Sequence, residues 1–485
     1  MSNAPPLSGG TTGPTALRPL LSTVLDALQD GAHRRHGPLP AGGPATITAH
    51  VRSTLGPVLP EHGTGAEDAL HTLVRLLTEG AADPAEPHCV AHLHCPPLAV
   101  ATAADLAASA LNPSMDSWDQ APAASALETL VTHALATEIH PDGTADALVT
   151  TGGTEANQLA LLLAREQTRH LPHPVHLITG ANAHHSLHRA AWLLGLPTPT
   201  TLPTPGGTLD PAALHHTLTA LPGPHLVAAT AGTTDAGLID PLPEIAALCH
   251  QHGARLHIDA AYGGGLLFST TRHTQLHGLH HAHTVALDLH KLGWQPVAAG
   301  LLVVRDPGET TLLAHQADYL NADDDTEAGL PDLLSRSLRT TRRPDILKTA
   351  VTLRALGRTG IGTLVDTVCT LATHFAHHIN QHPHFELYAP PTISTVLFRP
   401  TDADDHHIAH TRRQLLTEGQ AVLGRARMDG RLWFKATLLN PHTTTDDLAE
   451  LLKHIEATHI EATHNDATRN AATHTQQFAE GSTAR

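Results

Sequence analysis

From residue 147 onward, short apolar runs alternate with amphipathic stretches. Ala147–Val149, Val175–Ile178, Leu226–Ala229, Leu256–Ile258, Val285–Leu287 and Leu301–Val304 read as strands. Between them, Glu155–Arg165, Leu187–Leu194 and Leu242–His250 carry helical apolar spacing, the second stopped by Gly195. Uniformly apolar short strands alternating with helices predict an α/β fold with a mainly parallel sheet covered on both faces. Upstream, Leu17, Leu20, Leu21, Val24, Leu25 and Leu28 mark one side of a helix over Ala16–Leu28, and Ala66–Leu77 repeats the pattern. Helices are also predicted over Leu98–Leu111 and Ala123–Leu135, with the polar stretch Ser114–Gln120 between them.

Past Asp306 the pattern changes. The stretch Tyr319–Leu330, with Asp323, Asp324, Asp325 and Glu327, reads as an exposed loop. Helices over Ile346–Leu356 and Leu364–Ile379 follow. Thr395–Phe398, Leu432–Thr437 and Leu448–Ile455 then suggest a small α+β unit. The tail repeats Ile455-Glu456-Ala457-Thr458-His459 as Ile460-Glu461-Ala462-Thr463-His464 and runs polar to Arg485, a composition expected to be disordered.

With 485 residues the chain is long enough for two or three units. Aromatic residues make up only 3%, so the core must be built from Leu, Ala and Val. A formal charge of −17 argues against nucleic acid or an anionic membrane as partner. Cys89, Cys95, Cys249 and Cys369 show no zinc-type CxxC spacing and are too few for a disulfide scaffold. No apolar run approaches the ~20 residues of a membrane span, and Met1–Pro19 lacks a basic n-region and apolar h-region, so a cytoplasmic location is expected. The 42 histidines fall mostly on polar stretches with no regular ligand spacing. No metal site is expected from them, although a histidine-rich binding protein without catalysis is one alternative.

The candidate chemistry sits at the strand ends. His257-Ile258-Asp259-Ala260-Ala261-Tyr262-Gly263-Gly264 and Ala286-Leu287-Asp288-Leu289-His290-Lys291 each end an apolar run in ionisable and small residues. In an open α/β sheet, ligands collect at strand C-termini. A lysine and a carboxylate there match the needs of pyridoxal phosphate (PLP), an amine for its aldehyde and an anion for its ring nitrogen. The only lysines are Lys291, Lys348, Lys435 and Lys453, so Lys291 stands out against an arginine-dominated background. Thr150-Thr151-Gly152-Gly153-Thr154-Glu155-Ala156-Asn157 joins a strand to a helix and offers backbone amides to an anion. Ala183-His184-His185-Ser186 and Thr230-Ala231-Gly232-Thr233-Thr234 follow other strands. Each signal is weak alone, but all fall at one edge of one predicted sheet.

These motifs resemble the group II PLP-dependent amino-acid decarboxylases from about His88 to Ile455. The resemblance implies a fold type I, aminotransferase-like architecture: a large domain with a mainly parallel seven-stranded sheet and a small C-terminal α+β domain. The boundaries expected are 1–97 for an N-terminal helical segment packing on a partner subunit (1–14 disordered), 98–365 for the PLP-binding domain, 366–457 for the small domain and 458–485 for a disordered tail. By the same resemblance, Lys291 is the Schiff-base lysine, Asp259 the partner of the pyridine nitrogen and His184 the ring-stacking histidine. Gly153, Thr154, Asp288 and His290 match phosphate-side positions, Thr230 a cofactor contact, and Ala261 a small residue against the ring. Tyr319 matches a mobile-loop tyrosine that protonates the α-carbon.

The implied reaction is α-decarboxylation of an L-amino acid by a homodimer whose site lies at the interface. The stretches Ala91–Pro97, Ser114–Gln120 and Ala317–Asn321 look most like the diaminobutyrate decarboxylase branch. His92, His94, Asp116, Trp118 and Asp119 are the expected substrate-side residues, with Asp116 or Asp119 meeting an ammonium. Pro344 where the family usually has an aromatic, Thr349-Ala350 in place of a bulkier pair, and the Glu155-Ala156 pair depart from that branch. Lysine, ornithine or aromatic amino acids stay open as substrates, as do aldehyde synthase and aminotransferase chemistry.

Overall fold

The computed structural model describes residues 4–314, 320 and 322–482, with side chains described as far as 464 apart from 323 and 462. It divides into two compact units. One comprises the residues up to His92, Leu371–Pro390 and those from Thr395 onward; the other comprises Leu93–Thr370 and Pro391–Ser394.

The chain opens with α1 (Gly13–Arg35), α2 (Gly43–Leu55) and α3 (Ala66–Glu79). Proline at the start of α1 costs no helical hydrogen bond, and His36 ends the helix in the left-handed conformation. Helices α1 and α3 pack closely because residue 31 is glycine: a Cβ there would lie 2.6 Å from Thr78 Cβ. Arg35 fastens the end of α1, donating to Asp83 Oδ2 at 2.7 Å and to the Thr78 carbonyl at 2.9 Å. Leu25, Leu28, Leu73 and Leu77 remain exposed on this pair.

The larger unit begins with α4 (Ala99–Leu111) and α5 (Pro122–Thr137). Its sheet contains β1 (Asp146–Thr150), β2 (His176–Gly180), β3 (Thr200–Leu202), β4 (His225–Thr230), β5 (Arg255–Ala260), β6 (Thr284–Asp288) and β7 (Gly300–Val304) in the order β1-β7-β6-β5-β4-β2-β3. Only β7 runs against its neighbours, so the expected mainly parallel seven-stranded sheet is present. Helices α6 (Gly153–Thr168), α7 (Ser186–Leu193), α8 (Pro211–Ala220) and α9 (Leu242–His252) provide the connections. Strand β3 and helices α2 and α8 were not legible as elements, being short or lacking a clear apolar stripe. The register matters for function: Thr230 pairs with Asp259 and Ala286 with Asp259, while Gly300 faces both Thr150 and Asp288. The ends of β1, β4, β5 and β6 therefore share one edge. The packing is aliphatic, with Leu148, Leu159, Leu163, Leu302 and Val304 in one cluster and Leu161, Leu177, Leu187 and Leu226 in another.

Within the stretch read as an exposed loop lies the short helix α10 (Asp323–Glu327). The two helices read over Ile346–Ile379 form one span, α11 (Ile346–Gln381), broken at Gly357, where φ is 63°. Glu128 on α5 and Arg342 form a buried bidentate pair at 2.6 and 2.8 Å. Removing one partner strands the other charge in a dry environment, so Glu128→Ala is expected to cost about 3–5 kcal/mol. Urea unfolding should show this as a lowered midpoint; an unchanged midpoint would mean the pair is dispensable.

The remaining elements are β8 (Phe385–Leu387), β9 (Thr395–Pro400), α12 (Asp405–Thr417), β10 (Gly424–Met428), β11 (Arg431–Thr437) and α13 (Thr445–Ser482). The strands form an antiparallel sheet in the order β10-β11-β9-β8, around Phe375, Phe385, Phe398 and Phe434. The N-terminal segment joins this unit of its own chain: the Val90 amide donates to Val422 O at 2.9 Å and the Thr437 amide to Val90 O at 2.7 Å. The tail expected to be disordered from 458 instead continues α13. Thr458 and His459 are buried where α13 packs on α12, and His459 Nε2 lies 3.1 Å from Asp402 Oδ1. Composition alone missed this because histidine and threonine carry the packing there.

Candidate active site

The loops at the shared strand edge enclose a cavity of about 260 Å³. Its lining includes Gly153, Thr154, His184, Thr230, Asp259, Ala261, Asp288, His290 and Lys291, so nine residues singled out from five sequence stretches meet at one place. Leu93, Thr151, Gly152, Gly232, Thr234 and Tyr262 complete it.

Lysine 291 follows β6 by three residues and returns toward that strand's end. Its Nζ lies 2.9 Å from Asp288 Oδ2, and His290 Nε2 lies 3.5 Å from the same oxygen. His290 is itself fixed by Ala299 O, 2.9 Å from its Nδ1. One β5 residue, Asp259, accepts from the Ala261 amide at 3.1 Å and from Asn157 Nδ2 at 2.8 Å. His184 precedes α7, its Nδ1 2.8 Å from Ser186 Oγ. Burial holds its imidazole below the ordinary range; His185 and Lys291 act in the same direction, while Asp259 and Asp288 oppose them.

Glycine is required in the turn after β1. At Gly152, where φ is 150°, a Cβ would lie 2.9 Å from His290 Cε1; at Gly153 it would lie 2.9 Å from Ala261 Cβ. The bare backbone leads directly into α6, whose first-turn amides carry the helix's positive end. Buried Thr230 Oγ1 and Asp288 Oδ1 have no hydrogen-bond partner among the described residues. An amine, an acid, a flat histidine, a helix N-terminus and unpartnered polar atoms fit a small, flat, phosphorylated aromatic group such as PLP.

Other expected site residues lie apart. Asp116 accepts from Gln120 Nε2 at 2.7 Å and Asp119 from Ser117 Oγ at 2.6 Å, so both carboxylates serve their own turn. Neither these acids nor Trp118, His92 or His94 line the cavity; Leu93 does. Tyr319 lies outside the described residues. Sequence reasoning gave Asn157 and His257 no role, although His257 is two residues before Asp259 and so shares its face of β5. Among the described residues, no group of three His, Cys, Asp or Glu could hold a metal ion, and no helix is long and apolar enough to cross a membrane.

The profile of the pyridoxal-dependent decarboxylase conserved domain matches residues 49–401. The chain belongs to this family. It is 40% identical over 413 residues to an L-2,4-diaminobutyrate decarboxylase of Rhizobium meliloti, covering 82% of this chain and 83% of the relative. It is 31% identical to a protein of the same name from Acinetobacter baumannii, covering 84% and 86%. Among solved structures, it resembles the glutamate decarboxylase domain of diaminobutyrate-pyruvate transaminase and L-2,4-diaminobutyrate decarboxylase from Vibrio parahaemolyticus. The TM-score is 0.84 at 30% identity, covering 94% of this chain and 98% of that one. The chain is thus a PLP-dependent amino-acid decarboxylase, as its motifs implied.

Proposed function

We propose that the substrate is a short diamino acid, L-2,4-diaminobutyrate first among them, converted to the diamine and carbon dioxide. The 40% identity to a protein of that name across most of both chains carries this reading. When bound, PLP supplies an electron sink for the pair left on the α-carbon as carbon dioxide departs.

The chain's own groups have separable roles. Lys291 is the amine that holds the cofactor. Asp288, assigned by motif to the phosphate side, is paired with Lys291 Nζ and is better placed to accept a proton from that ammonium. Gly153 and Thr154 would meet the phosphate with amides at the start of α6, with His290 beside them, while Ala261 and His184 would flank the ring. Asp259 would face the ring nitrogen and Thr230 would offer its free hydroxyl. Tyr319 is assigned return of a proton to the α-carbon, and Leu93 and Tyr262 exclude water from the lined cavity.

The cavity's two carboxylates, Asp259 and Asp288, are already engaged. The distal ammonium of a diamino acid must therefore find its anion beyond this lining. This requirement, with the exposed leucines of α1 and α3, supports a homodimer in which a second copy completes the site; His92, His94, Asp116, Trp118 and Asp119 stay candidates for that outer shell. Light scattering should then give twice 51.1 kDa. Cysteines without disulfides support a reducing, cytoplasmic compartment.

The decisive experiment is carbon dioxide release from 2,4-diaminobutyrate, ornithine, lysine, glutamate and dopa. The highest kcat/KM is expected with 2,4-diaminobutyrate. Preference for glutamate or dopa would refute the diamino reading while leaving the decarboxylase assignment in place, and ammonia or keto acid in place of carbon dioxide would point to the other PLP chemistries.

A further inference from the structure

Helix α6 lies across β5 and β6, and Asn157, fully buried, points from it onto the face that carries Asp259 and His257. Its amide makes three bonds: Nδ2 donates to Asp259 Oδ2 at 2.8 Å and to Ser186 Oγ at 2.9 Å, while Oδ1 is 2.8 Å from His257 Nε2. A carboxylate only accepts, so Nδ2 must face Asp259, Oδ1 must face His257, and His257 must carry a proton on Nε2. Burial holds the His257 imidazole well below its ordinary range, which favours the neutral ring; with its proton on Nε2, Nδ1 accepts from Thr284 Oγ1 at 2.9 Å. Thr284 is His257's direct partner across β5 and β6, so strand register fixes this last link.

The second branch is equally determined. Ser186 Oγ accepts from Asn157 and gives its own proton to His184 Nδ1 at 2.8 Å, where the Ser186 amide also points at 3.4 Å. His184 therefore keeps its proton on Nε2, the nitrogen away from Ser186.

We propose that Asn157 is a positioning residue: one buried amide, locked by His257 and Thr284, fixes the orientation of the Asp259 carboxylate and the tautomer of His184 together. This rests on the reading that Asp259 and His184 hold the cofactor ring. Neither Asn157 nor His257 lines the cavity, so any effect they have on the cofactor passes through those two residues.

The test is PLP affinity of the full-length enzyme, measured by absorbance titration after the cofactor is resolved and added back. Asn157→Leu keeps the number and branching of the side-chain heavy atoms and removes all three bonds; it is expected to raise the PLP Kd about ten- to a hundredfold, the worth of bonds to a charged group. In an Asp259→Ala background the same change should cost clearly less, because one of its targets is gone. His257→Gln keeps a donor where Nε2–H stood and should stay within about threefold of wild type, whereas His257→Leu should lose about tenfold. The proposal is overturned by an unchanged Kd in a folded Asn157→Leu, by full additivity with Asp259→Ala, or by equal losses for the two His257 variants. The His257 pair carries the test if Asn157→Leu does not fold. An unchanged Kd in Asp259→Ala would instead overturn the reading of Asp259 itself, and the proposal with it.

Discussion

Lys291→Ala will lower decarboxylation by more than about a thousandfold and remove the visible absorbance of bound PLP, because no other amine can take its place. Lys348 is buried beside Asp105, 3.2 Å from its Oδ1, and Asp345. Lys435 and Lys453 do not line the cavity, and Lys453 is exposed on α13. Lys291 alone lines the cavity and reaches Asp288, which can take the ammonium proton and free the lone pair. Mutating Lys348 tests the selectivity of this claim, since its loss should reduce stability and leave the PLP spectrum intact. Residual turnover within tenfold of wild type in Lys291→Ala would show that the amine is not the covalent anchor.

Asp259→Asn should lower kcat by two to three and a half orders of magnitude with a smaller change in KM. The substitution keeps the shape and removes the charge that would pair with the ring nitrogen. Breaking a buried ion pair costs about 3–5 kcal/mol, which converts to that range of rates. The effect falls on kcat because Asp259 would keep the ring nitrogen protonated, and a ring without that proton would be a poorer electron sink for the departing carbon dioxide's electron pair. A variant that raises only KM would place Asp259 in substrate binding. Thr230, its direct neighbour across β4 and β5, supplies a comparison: losing that hydroxyl should cost much less, since no charge is involved.

Much of the site was legible because its parts are local. The turn after β1, the ends of β5 and β6 and the histidine before α7 are contiguous motifs, and the scarcity of lysine isolated Lys291. Short apolar strands announced the sheet. Strands β3, β8 and β10 and helices α2, α8 and α12 were missed because short strands and helices without a clear apolar stripe carry little periodic signal. Asp116 and Asp119 were expected to meet an ammonium; only the fold shows that each also accepts a hydrogen bond within its own turn, from Gln120 and Ser117, and that neither lines the cavity.

By itself, then, the sequence determined the fold class, the family and the lysine, acid and glycine turn of the site, since each is written in neighbouring residues or in a strand's own apolarity. Tertiary structure alone decided what Asn157 and His257 do. Their bonds to Asp259, Ser186 and Thr284 join residues far apart in the chain, and they exist only because α6 crosses β5 and β5 pairs in register with β6. It also decided that the N-terminal segment joins the C-terminal sheet at Val90, through backbone bonds that no side-chain pattern records.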